Sequence, residues 1–320
     1  MNRKGFVALL AGLVGLVMVA APAGAAAPAV LGELPANSQV VVVTQPLSQL
    51  SGKVDMFARS AGLPVSPDQP VKVEYMLGAE MGIAGQLDAS RGLALAIGNV
   101  VDDPEGTMVA FIPVNNAVAA IEAMGAEPAP GQAGVFMLPD PDMFTYLMPA
   151  GKHLLLGSSP QSMRAAAAGP KGIRLSAADQ ELFANSEVAA WIDLRSVMPK
   201  ARTELMAAIA ENEDLAAHPS FQKLATDAVN RLGEVQMASG GLRITAEGLR
   251  LTLRGQGAAG SELAEYLSGH AMADTSMISK LPAGPYIMAF AGQFDSKLLL
   301  GPLDALATAV KADPTFGAQL

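Results

Sequence analysis

Cysteine is absent from all 320 residues, which removes disulfides, thiolate metal ligands and cysteine nucleophiles together. Aromatic residues are scarce, with one Trp and four Tyr, too few for the stacking platforms that hold sugars or single-stranded bases. Positive charge is in deficit: 21 Lys and Arg stand against 30 Asp and Glu, a net of −9. A surface of that sign repels phosphate backbones, so neither nucleic acid nor an anionic membrane surface is expected as a partner. Motifs of familiar chemistry are missing as well. There is no H-E-x-x-H and no G-x-S-x-G, and no twin arginine precedes the first apolar run.

What is present begins with an export signal. Arg3 and Lys4 precede an apolar stretch over 6–21, and small residues surround Ala23-Gly24-Ala25, the order of a cleavable secretory signal spanning 1–25. The stretch falls short of the roughly 20 apolar residues that a membrane span needs, and Pro22 follows it at once; an uncleaved anchor is the alternative. No later run approaches spanning length, so the mature chain is expected to work outside the cytoplasm, periplasmic or extracellular, without a transmembrane segment. Cleavage takes away Arg3 and Lys4, leaving 19 positive side chains against 30 negative and a net of −11.

The pattern of the remainder is α+β. The β-branched run at 40–44 suits a strand buried on both faces. Leu47, Leu50, Val54, Phe57 and Ala61 then recur at helical spacing up to Gly62. Further strands are expected at 71–75, 93–97, 108–113, 135–138 and 153–156, with the acidic loop 102–106 joining 93–97 to 108–113. Asn115 is placed as the N-cap of a helix carrying Val118, Ile121 and Met124, and Ser159-Pro160 as the cap and first turn of another. Ser176 and Asp179 read as a capping pair before a strand at 188–192. Two helices follow, one with Val197, Ala201, Leu205 and Ile209, the other with Phe221, Leu224, Ala228 and Leu232. Segments 242–245 and 249–254 flank Ala246-Glu247-Gly248 as a hairpin. The expected architecture is a mixed or largely antiparallel sheet, built from strand-helix units, with helices packed on one face. Two α+β domains are expected, 26–169 and 170–320, the second cut short at its C-terminus.

Three segments share a weak internal likeness, at 34–40, 183–188 and 281–286, each a polar turn before a short apolar strand. The opening Leu34-Pro35-Ala36-Asn37-Ser38, the strand Phe111-Ile112-Pro113-Val114 and the turn Leu155-Leu156-Gly157-Ser158-Ser159-Pro160 resemble exported bacterial proteins of a domain family of unknown function. The likeness extends over much of 34–290 and rests on strands and turns. It implies no activity.

Candidate chemistry is thin. Arg243, Arg250 and Arg254 project from one hairpin of an acidic chain and are the candidate anion-binding residues for a carboxylate or phosphate; a solvated face paired with acids is the alternative. Gly255-Gln256-Gly257-Ala258-Ala259-Gly260 fits G-x-G-x-x-G with Asp274 downstream, but the preceding Leu249, Leu251, Leu253 alternate with Arg250, Thr252, Arg254 as in a half-exposed antiparallel strand. Ser220 and Lys223 match Ser-x-x-Lys without its companion motifs, and Ser220 falls where an N-cap belongs. His153, His218 and His270 are far apart, and Met137, Met143, Met148, Met272 and Met277 are loosely spaced for copper and suit core filling. Asp140-Pro141-Asp142 and Glu211-Asn212-Glu213-Asp214 read as solvated turns. The expectation is therefore a non-catalytic exported envelope protein with an interaction or scaffolding role and no cofactor or metal. Its partner would be another envelope protein. A carrier of a small apolar or lipid-like ligand is the alternative, on the strength of 51% hydrophobic residues, and an exported hydrolase comes third.

Overall fold

The computed structural model describes residues 27–264, except 67, 101, 140–143, 213–215, 247 and 262–263. The expected signal at 1–25, the third repeat at 281–286, His270, Asp274 and Met143, Met272 and Met277 lie outside the described residues. So do Asp140, Asp142, Glu213 and Asp214 of the acidic clusters.

The fold is α+β, with a ten-stranded antiparallel sheet and, among the described residues, seven α-helices. A 3-10 turn at Ala29–Glu33 leads to β1 (Val40–Thr44), α1 (Leu47–Ser60), α2 (Val73–Glu80), β2 (Ala94–Ile97), β3 (Met108–Pro113) and α3 (Ala117–Ala123). There follow β4 (Glu127–Pro128), β5 (Phe136–Met137), β6 (Tyr146–Ala150), β7 (His153–Gly157), α4 (Pro160–Ala168), α5 (Ala177–Ala184) and β8 (Val188–Asp193). The last are α6 (Met198–Glu211), α7 (Pro219–Leu232), β9 (Val235–Thr245) and β10 (Gly248–Gly257). The strand order is β10-β9-β8-β1-β2-β3-β7-β6-β5-β4. No described helix is long and apolar enough to cross a membrane.

The chain divides into two compact units, residues 1–192 with 239–254, and 193–238 with 255–320. In the first, cross-strand register assembles one apolar row. Val42 lies opposite Leu95, Leu95 opposite Ala110, Ala110 opposite Leu156, and Leu156 opposite Leu147. Because side chains alternate between faces along a strand, this row is one face of the sheet. Against it pack Leu47 and Leu50 of α1, Ile83 and Leu87 after α2, and Ala120 and Ile121 of α3. Leu47, Leu147, Leu154 and Ala120 have no exposed surface, and each leucine so buried contributes about 1.5–3 kcal/mol. A helical layer thus lies on one face as expected, and α4 lies on the other, where Met163 sits against Gly157 of β7.

Local signals account for many elements. Gly62, with φ 70°, takes the left-handed conformation after α1 that a side chain disfavours. Ser159 accepts from Ser162 N at the head of α4, with Pro160 in its first turn. Ser176 accepts from Asp179 N at the head of α5 and donates to its carboxylate at 2.6 Å. Three local expectations are corrected. Residues 71–75 do not form a strand: α2 starts at Val73, because Ser51 of α1 accepts from Val73 N and donates to Glu74, giving the helix start a cap from a distant element. The cap of α3 is Asn116, which accepts from Val118 N and Ala119 N, whereas Asn115 donates its amide to Leu87 O. His218, and not Ser220, stands at the N-cap position of α7.

In the second unit α6 and α7 pack on each other, and Arg202 donates to Asn230 Oδ1 at 2.8 and 3.2 Å. The apolar stripe of α6 is not buried; Leu205 is 43% exposed.

Candidate functional site

A cleft of about 640 Å³ opens on the α4 side of the central sheet, inside the first unit. Its floor comes from three neighbouring strands: Phe111 of β3, His153 of β7, and Met148 and Ala150 of β6. Register brings them together, since Pro113 and Ala150 both lie opposite His153, and Phe111 and Met148 both lie opposite Leu155. Gly151, with φ 61°, makes the tight turn that returns β6 into β7. One wall is α4, through Arg164, Ala167 and Ala168; the other is the 3-10 turn, through Gly32 and Glu33. A methyl group on Gly157 would come within 2.9 Å of Met163 Cγ, so the glycine lets α4 approach the sheet and sets the wall's position.

His153 is 2% exposed. Its Nδ1 is 3.0 Å from Glu33 Oε2, and the other oxygen of Glu33 accepts from Arg91 Nη1 at 3.0 Å. Arg91 Nε in turn lies 3.5 Å from Asp88 Oδ2. Burial pushes the His153 imidazole below its ordinary value of 6.5; Glu33 pulls it back up, Arg91 pushes it down, and Asp88 raises it. The ring is therefore neutral at neutral pH, with its proton on Nδ1, because a carboxylate oxygen can only accept. That leaves Nε2 as a bare acceptor, and Nε2 is shut off from solvent without a hydrogen-bond partner. An unmet buried acceptor costs about 1–3 kcal/mol. Lys171 also lines the cleft. Burial lowers its pKa, Glu33 opposes this, and its Nζ donates to Ala166 O.

The Glu33–His153 pair has the geometry of an oriented base, and no Ser, Thr or Tyr hydroxyl lines the cleft beside it. The arrangement can hold a molecule, with an apolar floor and wall around a few polar atoms. Among the described residues no group of three or more acidic or histidine side chains converges to hold a metal ion.

The structure places Arg243 on β9 and Arg250 and Arg254 on β10. Ser239, four residues before Arg243 and so on its face of the strand, donates to Asp179 of α5 at 2.6 Å, and Arg254 donates to Ala178 O, so Arg243 and Arg254 share the face on which α5 lies. Arg250 alternates in step with Arg254. Arg243 Nη1 is buried without a partner. The glycine motif at 255–260 ends β10, a terminal strand of an antiparallel sheet, and not the parallel strand of a dinucleotide fold. Ser220 lies in the first turn of α7 and Lys223 at the start of its second. His153 and His218 stay apart, in different units.

Glu33, Arg91 and Lys171 were not legible as site residues. The one sequence signal was His153 itself, a histidine opening the otherwise apolar strand His153-Leu154-Leu155-Leu156.

No family model and no curated protein matches the chain. Two crystal forms of a protein named TP0453 resemble it in structure. Form III is 11% identical and covers 78% of this chain and 87% of that one; form I is 12% identical and covers 86% and 96%. Both superpose with a TM-score of 0.38, a level of likeness that carries nothing about function.

Proposed function

We propose that this is an exported, non-catalytic protein that binds a small, largely apolar molecule in the cleft between α4 and the sheet. The observation that carries it is a cleft of about 640 Å³, within the range of ligand pockets, with Phe111, Met148 and Ala150 as its apolar floor. The carrier role is thereby favoured over scaffolding, and no hydroxyl nucleophile lines the cleft beside His153 to favour hydrolysis. Native mass spectrometry of the mature protein, taken gently from its own host's envelope, is expected to show an additional small-molecule mass. Bare protein, unchanged by added amphiphiles, overturns the proposal. Export has its own test: N-terminal sequencing of the secreted or periplasmic form is expected to begin between residues 26 and 30, and an intact Met1 there sinks it.

A second proposal rests on the face of the β9–β10 hairpin that Arg243, Arg250 and Arg254 share. A carboxylate or phosphate, presented by a partner protein of the envelope, would be the anion this arginine face takes. Arg243→Ala is expected to weaken capture of that partner and leave ligand mass in the cleft unchanged; unaltered capture removes the arginines from the account.

A further inference from the structure

We infer that the ligand of the α4 cleft is an amphiphilic anion: a singly charged oxyanion head, carboxylate or phosphodiester, held by Arg164 and Lys171, on an apolar body that meets the floor. The inference deepens the proposed carrier function and rests on it. Arg164 projects from α4 one turn before Ala167 and Ala168, on the helix face that lines the cleft. Lys171 follows the end of α4, and the chain on both sides of it is tied to the segment after the 3-10 turn. Ala36 N donates to Pro170 O and Gly172 N to Leu34 O, at 2.9 Å each. Lys171 is thereby fixed between the two walls of the cleft.

Neither cation forms an ion pair among the described residues. Arg164 gives one of its five N–H groups to Ala133 O at 3.4 Å, and Lys171 one of its three to Ala166 O, a carbonyl of the last turn of α4. A backbone carbonyl takes up a donor and no charge, so both positive charges and most of the donors remain for a ligand. Glu33, the one carboxylate of the lining, has its oxygens 3.0 Å from His153 Nδ1 and from Arg91 Nη1. Of the charges that line the cleft or act on His153, Arg91, Arg164 and Lys171 stand against Glu33 and Asp88. Three against two leaves one positive charge, in a chain whose net is −9. Burial lowers the Lys171 pKa more than Glu33 raises it, as befits a cation without a close counter-ion. An alkyl carboxylate or phosphodiester supplies the missing negative charge and sets its body against Phe111, Met148 and Ala150. A neutral alcohol leaves that charge unmet, and an alkylammonium adds to it.

The test compares four probes with ten-carbon chains on the full mature chain at neutral pH: decanoate, methyl decyl phosphate, 1-decanol and decylammonium. Binding is read by calorimetry at low salt, where contacts to exposed charges are least screened. At least one of the two anions is expected to bind about ten-fold tighter than 1-decanol, with decylammonium the weakest. Which anion binds tighter tells a free carboxylate from a phosphodiester lipid as the source of the head. In the double variant Arg164→Gln, Lys171→Gln the preference for the anion is expected to disappear while 1-decanol binds as before, a split that a general loosening of the cleft does not produce. Should the double variant not fold, Arg164→Gln alone, at an exposed side chain, is expected to lose part of the preference. 1-Decanol or decylammonium binding as tightly as both anions, or an anion preference untouched by the substitutions, overturns the anion inference while leaving the carrier function standing. Binding of none of the four, with no displacement of any native ligand, overturns the carrier function itself.

Discussion

The two faces of the central sheet share the same strands and are finished differently. Toward α1–α3 the row from Val42 through Leu95, Ala110 and Leu156 to Leu147 is wholly apolar and closed. Toward α4, the same alternation delivers Phe111, Met148 and His153 to an open cleft, where Glu33 of the wall joins His153 to Arg91. Leu154 and His153 are neighbours in sequence and stand on opposite faces, so one step along β7 passes from the core to the site. Stability and binding are thereby assigned to different sides of one element, and substitutions can separate them.

The largest separation is expected from truncating apolar side chains on either side. Leu154→Ala, at a residue with no exposed surface, is expected to lose about 2–5 kcal/mol in urea unfolding, because the closed face leaves a cavity. Met148→Ala, beside the cleft, is expected to lose less, about 1–2 kcal/mol, since the space it vacates joins one already there. Equal losses would mean that the cleft face is as tightly closed as the core.

A smaller effect belongs to the cleft face alone. His153 has a folded pKa below its ordinary 6.5. Below that value the unfolded chain takes up a proton that the folded chain refuses, so its contribution to stability is present above about 6.5 and is lost as the pH falls toward the folded pKa. The slope from this one group is at most about 1.4 kcal/mol per pH unit. Unfolding midpoints between neutral and mildly acidic pH are expected to fall in the wild type and to lose that component in His153→Leu. A slope unchanged by the substitution would place the protonation elsewhere.

The smallest effects sharpen the comparison by treating both faces alike. Ser159→Ala at the head of α4 and Asn116→Ala at the head of α3 each remove one side-chain cap and are expected to cost about 1 kcal/mol apiece. Of the two, only Ser159→Ala is expected to weaken ligand retention, because α4 is a wall of the cleft and α3 is not. Equal retention in both would detach the cap from the wall's position.

Elements whose cause is local were legible in the sequence. The β-branched run of β1, the capped starts of α4 and α5, and the stop of α1 at Gly62 each depend on residues a few positions apart. The misplaced strand at 71–75 shows the limit. Val71, Val73 and Tyr75 alternate as a strand does, but a serine on another helix caps Val73 and fixes a helical start that local periodicity does not contain. The two-residue strands β4 and β5 were equally hidden, being too short to carry a period. The site was illegible for the same reason on a larger scale: Glu33, the Asp88–Arg91 loop, His153 and Lys171 lie far apart in the chain, and only the tertiary fold makes them neighbours. The arginines of the hairpin were legible as a shared face, because alternation along a strand is local.

The strand β4 consists of Glu127 and Pro128, both exposed, at one end of the strand order. Proline has no N–H to offer, and two residues give a second chain almost no ladder to extend. At that margin the sheet therefore resists growing into the next molecule, and a concentrated solution of this protein has one fewer route to fibres.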